Sequence, residues 1–216
     1  KEFVPYVISH FGVSDDAGRL VYIASRQLRV IDTRTLSDRV LTNDPAGIAR
    51  QTQQFLQQHG ATLQPDSGWQ LLLSAEASLL AEQEQALDAA LQAGLQQAEA
   101  QHDNAALTRL LTLRARQQLR LGKPEVADTW REIGVLAATL NDPHLQAEVY
   151  AAKAGYLAAR GLQQEALERS IQAWRVFEQN RDKARLPGLL AQIAGIQIEL
   201  GELDDAFYYL GQARDL

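Results

Sequence analysis

The feature that most constrains this chain is that it resembles itself at a fixed distance. Gly161-Leu162-Gln163-Gln164-Glu165-Ala166 returns as Gly201-Glu202-Leu203-Asp204-Asp205-Ala206. At the same offset Ala173 is matched by Ala213, and Ala154 by Ala194. The frame continues towards the N-terminus with slips of one residue. Gly122-Lys123-Pro124-Glu125-Val126-Ala127 brings Ala127 one residue closer to Ala166 than Ala166 is to Ala206. Glu84-Gln85-Ala86 sets Ala86 one residue farther from Ala127 than that same offset, with Ala93 seven further on. A period between about 20 and 50 residues marks a stacked architecture, because no unit can bury its apolar face alone.

The markers also indicate what each unit is made of. Apolar residues make up 46% of the chain, enough to exclude disorder, while aromatics are only 6% and Ala, Leu and Gln abound. That bias favours helix, since these side chains lose little freedom there. Glycine supplies a turn that reaches left-handed backbone angles, and alanine at a crossing lets two helices approach closely. Tyr150, Leu157, Phe177, Leu190 and Leu210 are then expected to fill the space between units. Trp69, Trp130 and Trp174 are expected in the core and not as ligand-stacking groups. The expected fold is mainly α: an α-solenoid of antiparallel helix pairs with a small N-terminal β-meander. Four repeats are expected at about 67–106, 107–145, 146–185 and 186–216.

The first 43 residues follow a different pattern. Val4 to Val13 is rich in β-branched and aromatic residues, Ser14-Asp15-Asp16-Ala17-Gly18 signals a turn, and Arg19 to Ala24 and Leu28 to Asp32 read as strands. A three-stranded meander of this size is marginal alone and should pack on something. Over 44–66 a helix and linker follow. Asp44-Pro45 gives an N-cap and first helical residue, Ile48, Phe55 and Leu56 an apolar face, and Gly60 the end.

The repeat markers resemble the tetratricopeptide repeat (TPR) family. They are the small residue before the turn (Ala115, Ala154, Ala194), the turn glycine (Gly122, Gly161, Gly201), the first small residue of the second helix (Ala86, Ala127, Ala166, Ala206) and its partner (Ala93, Ala173, Ala213). The resemblance covers residues 67–216. The first unit lacks the turn glycine, Gly134 stands where the last alanine belongs, and the units exceed the family's usual length of about 34 residues. Long units of this kind resemble those in front of bacterial signalling outputs such as diguanylate cyclases and transcriptional regulators.

The resemblance implies a concave groove lined by the first helix of each unit. In the second unit it would carry Arg109, Thr112, Arg116, Leu119 and Arg120. In the third it would carry Glu148, Ala151, Gly155, Ala158 and Ala159, and in the fourth Gly188, Ala191, Gly195, Ile198 and Glu199. Arg109, Arg116 and Arg120 fall on one helix face, where guanidinium forks suit a carboxylate or phosphate, so the implied protein or peptide partner is anionic. Glu148 and Ala152 occupy positions where the family's two-carboxylate clamp needs cations. The small residues of the last two units leave room for an inserted peptide or helix.

Catalytic and metal chemistry find no carrier in the sequence. There is no cysteine, so thiolate chemistry and disulfides are excluded. His10, His59, His102 and His144 share no metal-binding spacing, and no phosphate loop or nucleophile elbow occurs. Asp15-Asp16, Asp142 and Asp204-Asp205 sit at turns or helix starts and read as caps. The expectation is no enzyme, no cofactor and no metal. A net charge of -6 excludes a general nucleic-acid footprint. No apolar run approaches the roughly 18 residues of a membrane span. Absence of cysteine fits either the bacterial cytoplasm or the periplasm. The chain starts at Lys1 and holds no methionine, which reads as a piece of a longer protein.

The leading functional expectation is a protein–protein interaction scaffold. Its rivals are a regulatory input domain of a signalling protein and an assembly component of an envelope or secretion machine. The array ends on a second helix, so its last face is expected to be covered by a downstream domain after Leu216 or by a second copy in a homodimer.

Overall fold

The computed structural model describes residues 11–13, 19–24, 27–32, 37–42, 44–59, 69–80, 82–183 and 185–215. Among these, four strands precede nine helices. The chain divides into two compact units, one running through 8–117 and the other through 118–216.

In the unit 8–117, strands β1 (Phe11–Val13), β2 (Arg19–Ala24), β3 (Gln27–Asp32) and β4 (Ser37–Thr42) form an antiparallel meander in chain order. Val21 pairs with Val30 and Arg29 with Val40, with a register irregularity at Leu28/Arg29. The sheet therefore has a fourth strand beyond the three expected. The segment Val4 to His10 lies outside the described residues. Support for the meander comes from two helices of the same unit. α1 (Pro45–His59) packs on β3, and α2 (Trp69–Leu80) packs on β1 and β2. Asp44 caps α1 as its sequence demands, its Oδ2 accepting from the Gly47 amide at 2.7 Å. Ile48 and Thr52 form the buried flank of α1.

The remaining helices are α3 (Glu84–Ala100), α4 (Asn104–Arg120), α5 (Val126–Thr139), α6 (Pro143–Ala159), α7 (Gln163–Gln179), α8 (Leu186–Leu200) and α9 (Leu203–Arg214). Helix α4 begins at Asn104 and α6 at Pro143, so the expected unit edges at 106/107 and 145/146 fall inside helices. In the unit 8–117, α2 packs on α3. In the unit 118–216, α6 packs on α7, α7 on α8, α8 on α9, and α6 on α8. A cluster of Ala147, Ala173, Phe177, Leu186, Leu189, Leu190 and Ile193 binds three of these helices together.

Burial fixes the repeat frame. In the first helices the alanines Ala75, Ala115, Ala154 and Ala194 are all buried, none more than 1% exposed, and their spacings agree to within a single residue. In the second helices the buried positions are Leu87, Val126, Ala166 and Ala206, spaced with the same regularity. Each has a partner seven residues on: Gly94, Ile133 and Ala173, all buried, and half-buried Ala213. Ala86, Ala93 and Ala127 are exposed, so the sequence frame is displaced by one residue in α3 and α5. Gly134 is likewise exposed, and Ile133 holds the place assigned to it. The cause in α5 is local. Pro124 and Glu125 form an extra turn before it, so its buried flank arrives one residue sooner after the marker glycine. Leu210 does not fill a junction either, being 43% exposed. Trp130 is buried and Trp174 half-buried against the α6–α8 cluster. The side chain of Trp69 lies outside the described residues.

The turns repeat a backbone shape more faithfully than a residue. Gly122, Gly161 and Gly201 have φ of 65°, 76° and 82°. Between α2 and α3 the same place, one repeat before Gly122, is held by Glu82 at φ 57°. His102 and Arg181 take the same conformation between pairs, at φ 53° and 52°. After His102, and again before α6, an aspartate caps the next helix, Asp103 and Asp142 accepting from the amides of Ala106 and Leu145 at 2.9 and 3.0 Å. Asp182 follows Arg181 at the matching place and accepts from the Arg185 amide at 3.1 Å, in the turn just before α8.

Candidate functional site

Helices α6 and α8 carry the small residues assigned to the third and fourth units. Glu148, Ala151 and Gly155 are half-buried on α6, and Ala159 is exposed. On α8, Gly188, Ala191 and Gly195 are exposed and Ile198 is 50% exposed. A Cβ added at Gly155, Gly188 or Gly195 would meet only open space. The two helices are tied by Gln192, whose Nε2 donates to the Ala151 carbonyl at 3.1 Å.

The five residues assigned to α4 do not share one environment. Arg109, Thr112 and Leu119 are half-buried, and Arg116 and Arg120 are exposed. The Thr112 hydroxyl donates to the Thr108 carbonyl of its own helix at 2.8 Å, which removes a donor from any ligand.

The densest charge constellation is one the sequence pattern did not reveal. Where α6 begins beside the start of α8, His144 Nε2 lies 3.1 Å from Asp182 Oδ2, and His144 Nδ1 lies 3.4 Å from Glu148 Oε1. Arg185 reaches the same two carboxylates, at 3.0 Å to Asp182 and 2.6 Å to Glu148. The Phe177 ring forms one wall, 5.4 Å from the imidazole and 5.9 Å from the guanidinium carbon. The hydrogen bonds to Asp182 and Glu148 push the His144 pKa up to about 9, against the opposing effects of burial and of Arg185. Burial of Asp182 acts to raise its carboxyl. The His144 hydrogen bond and the charge and hydrogen bonds of Arg185 outweigh that, holding it below the usual range. Glu148 is thus engaged in holding two hairpins together, and its place in a ligand contact is correspondingly costly. Two carboxylates facing two cations make a bolt. Two of the four residues, Asp182 and Arg185, also close the turn that leads into α8, the Arg185 amide donating to Asp182 Oδ1.

The last described helix shows a different kind of surface. Leu203, Phe207, Tyr208 and Leu210 of α9 are 55, 72, 58 and 43% exposed. One repeat earlier, Leu167 of α7 packs into the clusters that contain Ile193 and Ile196 of α8, and Ser170 is fully buried. Phe207 and Leu210 stand at the matching positions of α9. The face that α7 uses to hold α8 is therefore repeated on α9, enlarged by aromatic side chains, with no described helix over it. Single exposed apolar residues need no explanation, but Leu203, Phe207 and Leu210, at i, i+4 and i+7, share one face of α9 and call for one.

Among the described residues no group of His, Asp and Glu is placed to hold a metal ion. No described helix is long and apolar enough to cross a membrane. Asp204 and Asp205 lie in the first turn of α9, where negative charge suits the helix N-terminus. His10 and Asp15-Asp16 lie outside the described residues. Compared with known proteins, the chain matches no protein-family model and no curated protein, so the functional reading rests on the surfaces themselves.

Proposed function

We propose that this chain is a protein-interaction scaffold of TPR-like stacked helix pairs, and that α9 is its principal docking surface. The observation that supports this best is the exposed Leu203, Phe207 and Leu210 face of α9, where Leu167, the counterpart of Phe207 in α7, packs against α8. The partner is a helix with the pattern of α8, apolar along one side and small at the crossing. A second reading is capture of an extended peptide on the α6–α8 flank, favoured by the open space at Gly155, Gly188 and Gly195.

A labelled peptide with the sequence of α8, flanked by lysines for solubility, tests the first reading. The chain should bind it, and Phe207→Asp with Leu210→Asp should abolish binding without unfolding the protein, since both side chains are exposed. Failure of the wild-type chain to bind the peptide would count against docking on α9. Binding that survives the α9 substitutions but is lost in Gly195→Glu would move the site to the α6–α8 flank.

A further inference from the structure

A cavity of about 280 Å³ lies within the unit 118–216, between α5, α6 and α7. Its origin is the small side chains of α5. Trp130, Gly134 and Ala137 follow one another at i, i+4 and i+7, so an indole is succeeded by a glycine and an alanine on the flank facing α6. On α6, Gln146, Val149, Tyr150 and Lys153 form the matching flank. It is a different side of α6 from the one carrying Ala151 and Gly155, since residues two apart on a helix point about 200° away from each other.

The walls are sorted by chemistry. Trp130, Ala137 and Val149 are buried and give an apolar floor. Half-buried Tyr150, Lys153 and Arg169 give the rim, and exposed Gly134 leaves it open to solvent. Gln146 closes one end, its Nε2 donating to the Ala137 and Leu140 carbonyls at 3.1 and 2.8 Å. Arg169 is held in place over the Tyr150 ring, with its guanidinium carbon 5.5 Å from the centroid. Lys153 makes no hydrogen bond or ion pair with any described residue. The Trp130 Nε1–H is buried and also has no described partner. Two cations thus face a cavity whose described lining includes no carboxylate, in a chain with a net charge of -6. A solvated surface of this chain would be expected to show the opposite balance.

We infer that this cavity binds a small organic carboxylate with an apolar or aromatic body. The carboxylate would lie between Lys153 and Arg169, and the body would rest on Trp130, Ala137 and Val149 beside the Tyr150 ring. At about 30 Å³ per water-sized group the space takes roughly nine non-hydrogen atoms, the size of a benzoate and smaller than a peptide. The site is separate from both docking surfaces above and does not depend on either.

The test is a calorimetric titration of the full chain with benzoate, phenylacetate and hexanoate, alongside benzamide and inorganic phosphate. At least one carboxylate should bind with 1:1 stoichiometry. Lys153→Gln and Arg169→Gln should each weaken it roughly tenfold or more, as loss of a charge-assisted hydrogen bond does. Gly134→Leu should abolish binding while the protein stays folded, because a Cβ there meets only open space and leucine favours helix over glycine. Retention of α-helical circular dichroism in that variant separates a blocked cavity from a lost fold. Binding by none of the three carboxylates would overturn the inference. So would equal binding of benzamide, equal binding of phosphate, or unchanged binding in Gly134→Leu.

Discussion

His144 and Asp182 are 38 residues apart in the chain and 3.1 Å apart in space, and Asp182 is fully buried at the contact. Their contact joins the first turn of α6 to the turn that leads into α8. It therefore couples the packing of two hairpins to one proton.

The direction of that coupling follows from the pKa values. The folded pKa of His144 is about 9, above the ordinary 6.5, so its stabilisation is complete below about pH 6.5 and drains away as pH rises through 9. Asp182 is held below its ordinary value, so its contribution is present above about pH 4 and is lost as pH falls further. Urea unfolding should show the chain about 1–3 kcal/mol less stable at pH 9.5 than at 6.5, at about 1.4 kcal/mol per pKa unit. His144→Gln should flatten that dependence. An unaltered pH profile in the variant would show that the pair does not titrate as described.

The repeat frame can be checked by overpacking. Ala166→Leu adds volume at a fully buried crossing and should cost about 1–3 kcal/mol. Ala127→Leu, on the exposed flank of α5, should change stability by less than about 0.5 kcal/mol. Thermal melts of the two variants decide between the buried Val126 frame and the Ala127 frame, since the latter demands a comparable loss from both.

The left-handed turns predict opposite signs at equivalent places. Gly201→Ala, at φ 82°, should destabilise by about 1 kcal/mol. Glu82→Gly should stabilise by a few tenths of a kcal/mol, the relieved backbone strain exceeding the added freedom of the unfolded chain. Denaturant midpoints measured on both variants would contradict the equivalence of the turns if the two shifts had the same sign.

Amide exchange should separate the helices of the unit 118–216. The α6, α7 and α8 amides, linked by the four-charge cluster and the Phe177 core, should exchange together and slowly. Those of α5, which borders a cavity and meets α6 through an extended linker at Leu140, should exchange faster. Uniform protection across α5 to α8 would argue against that division.

Much of this fold could be read from residue order because a stacked hairpin leaves a periodic trace. Ala115, Ala154 and Ala194 were legible as close crossings, and Gly122, Gly161 and Gly201 as turns. The frame failed at Ala127 because Pro124 and Glu125 shorten the distance from turn to buried flank before α5, and at Ala86 and Ala93 because Glu82 holds that turn without the glycine that would mark it. β4 was missed because Ser-Asp-Arg-Val-Leu-Thr carries little of the β-branched pattern that marks a strand. Asp103, Asp142 and Asp182, which stand ahead of α4, α6 and α8 and accept from backbone amides, recur one repeat apart and could have been found by the same self-comparison. The His144–Glu148–Asp182–Arg185 cluster and the Lys153–Arg169 rim could not. Their members sit on separate elements whose approach no local spacing encodes.

One consequence of the turn geometry concerns variation. Glu82, His102 and Arg181 hold the same left-handed backbone as the three glycines, so the hairpin corner is set by the helices on either side and tolerates a side chain. A corner of that kind can exchange its residue without moving the helices it joins. It also projects that residue outward into solvent, and Glu82, His102 and Arg181 are all exposed. The corners are thus places where the chain can alter its surface chemistry, acidic, imidazole or basic, while its internal spacing stays the same.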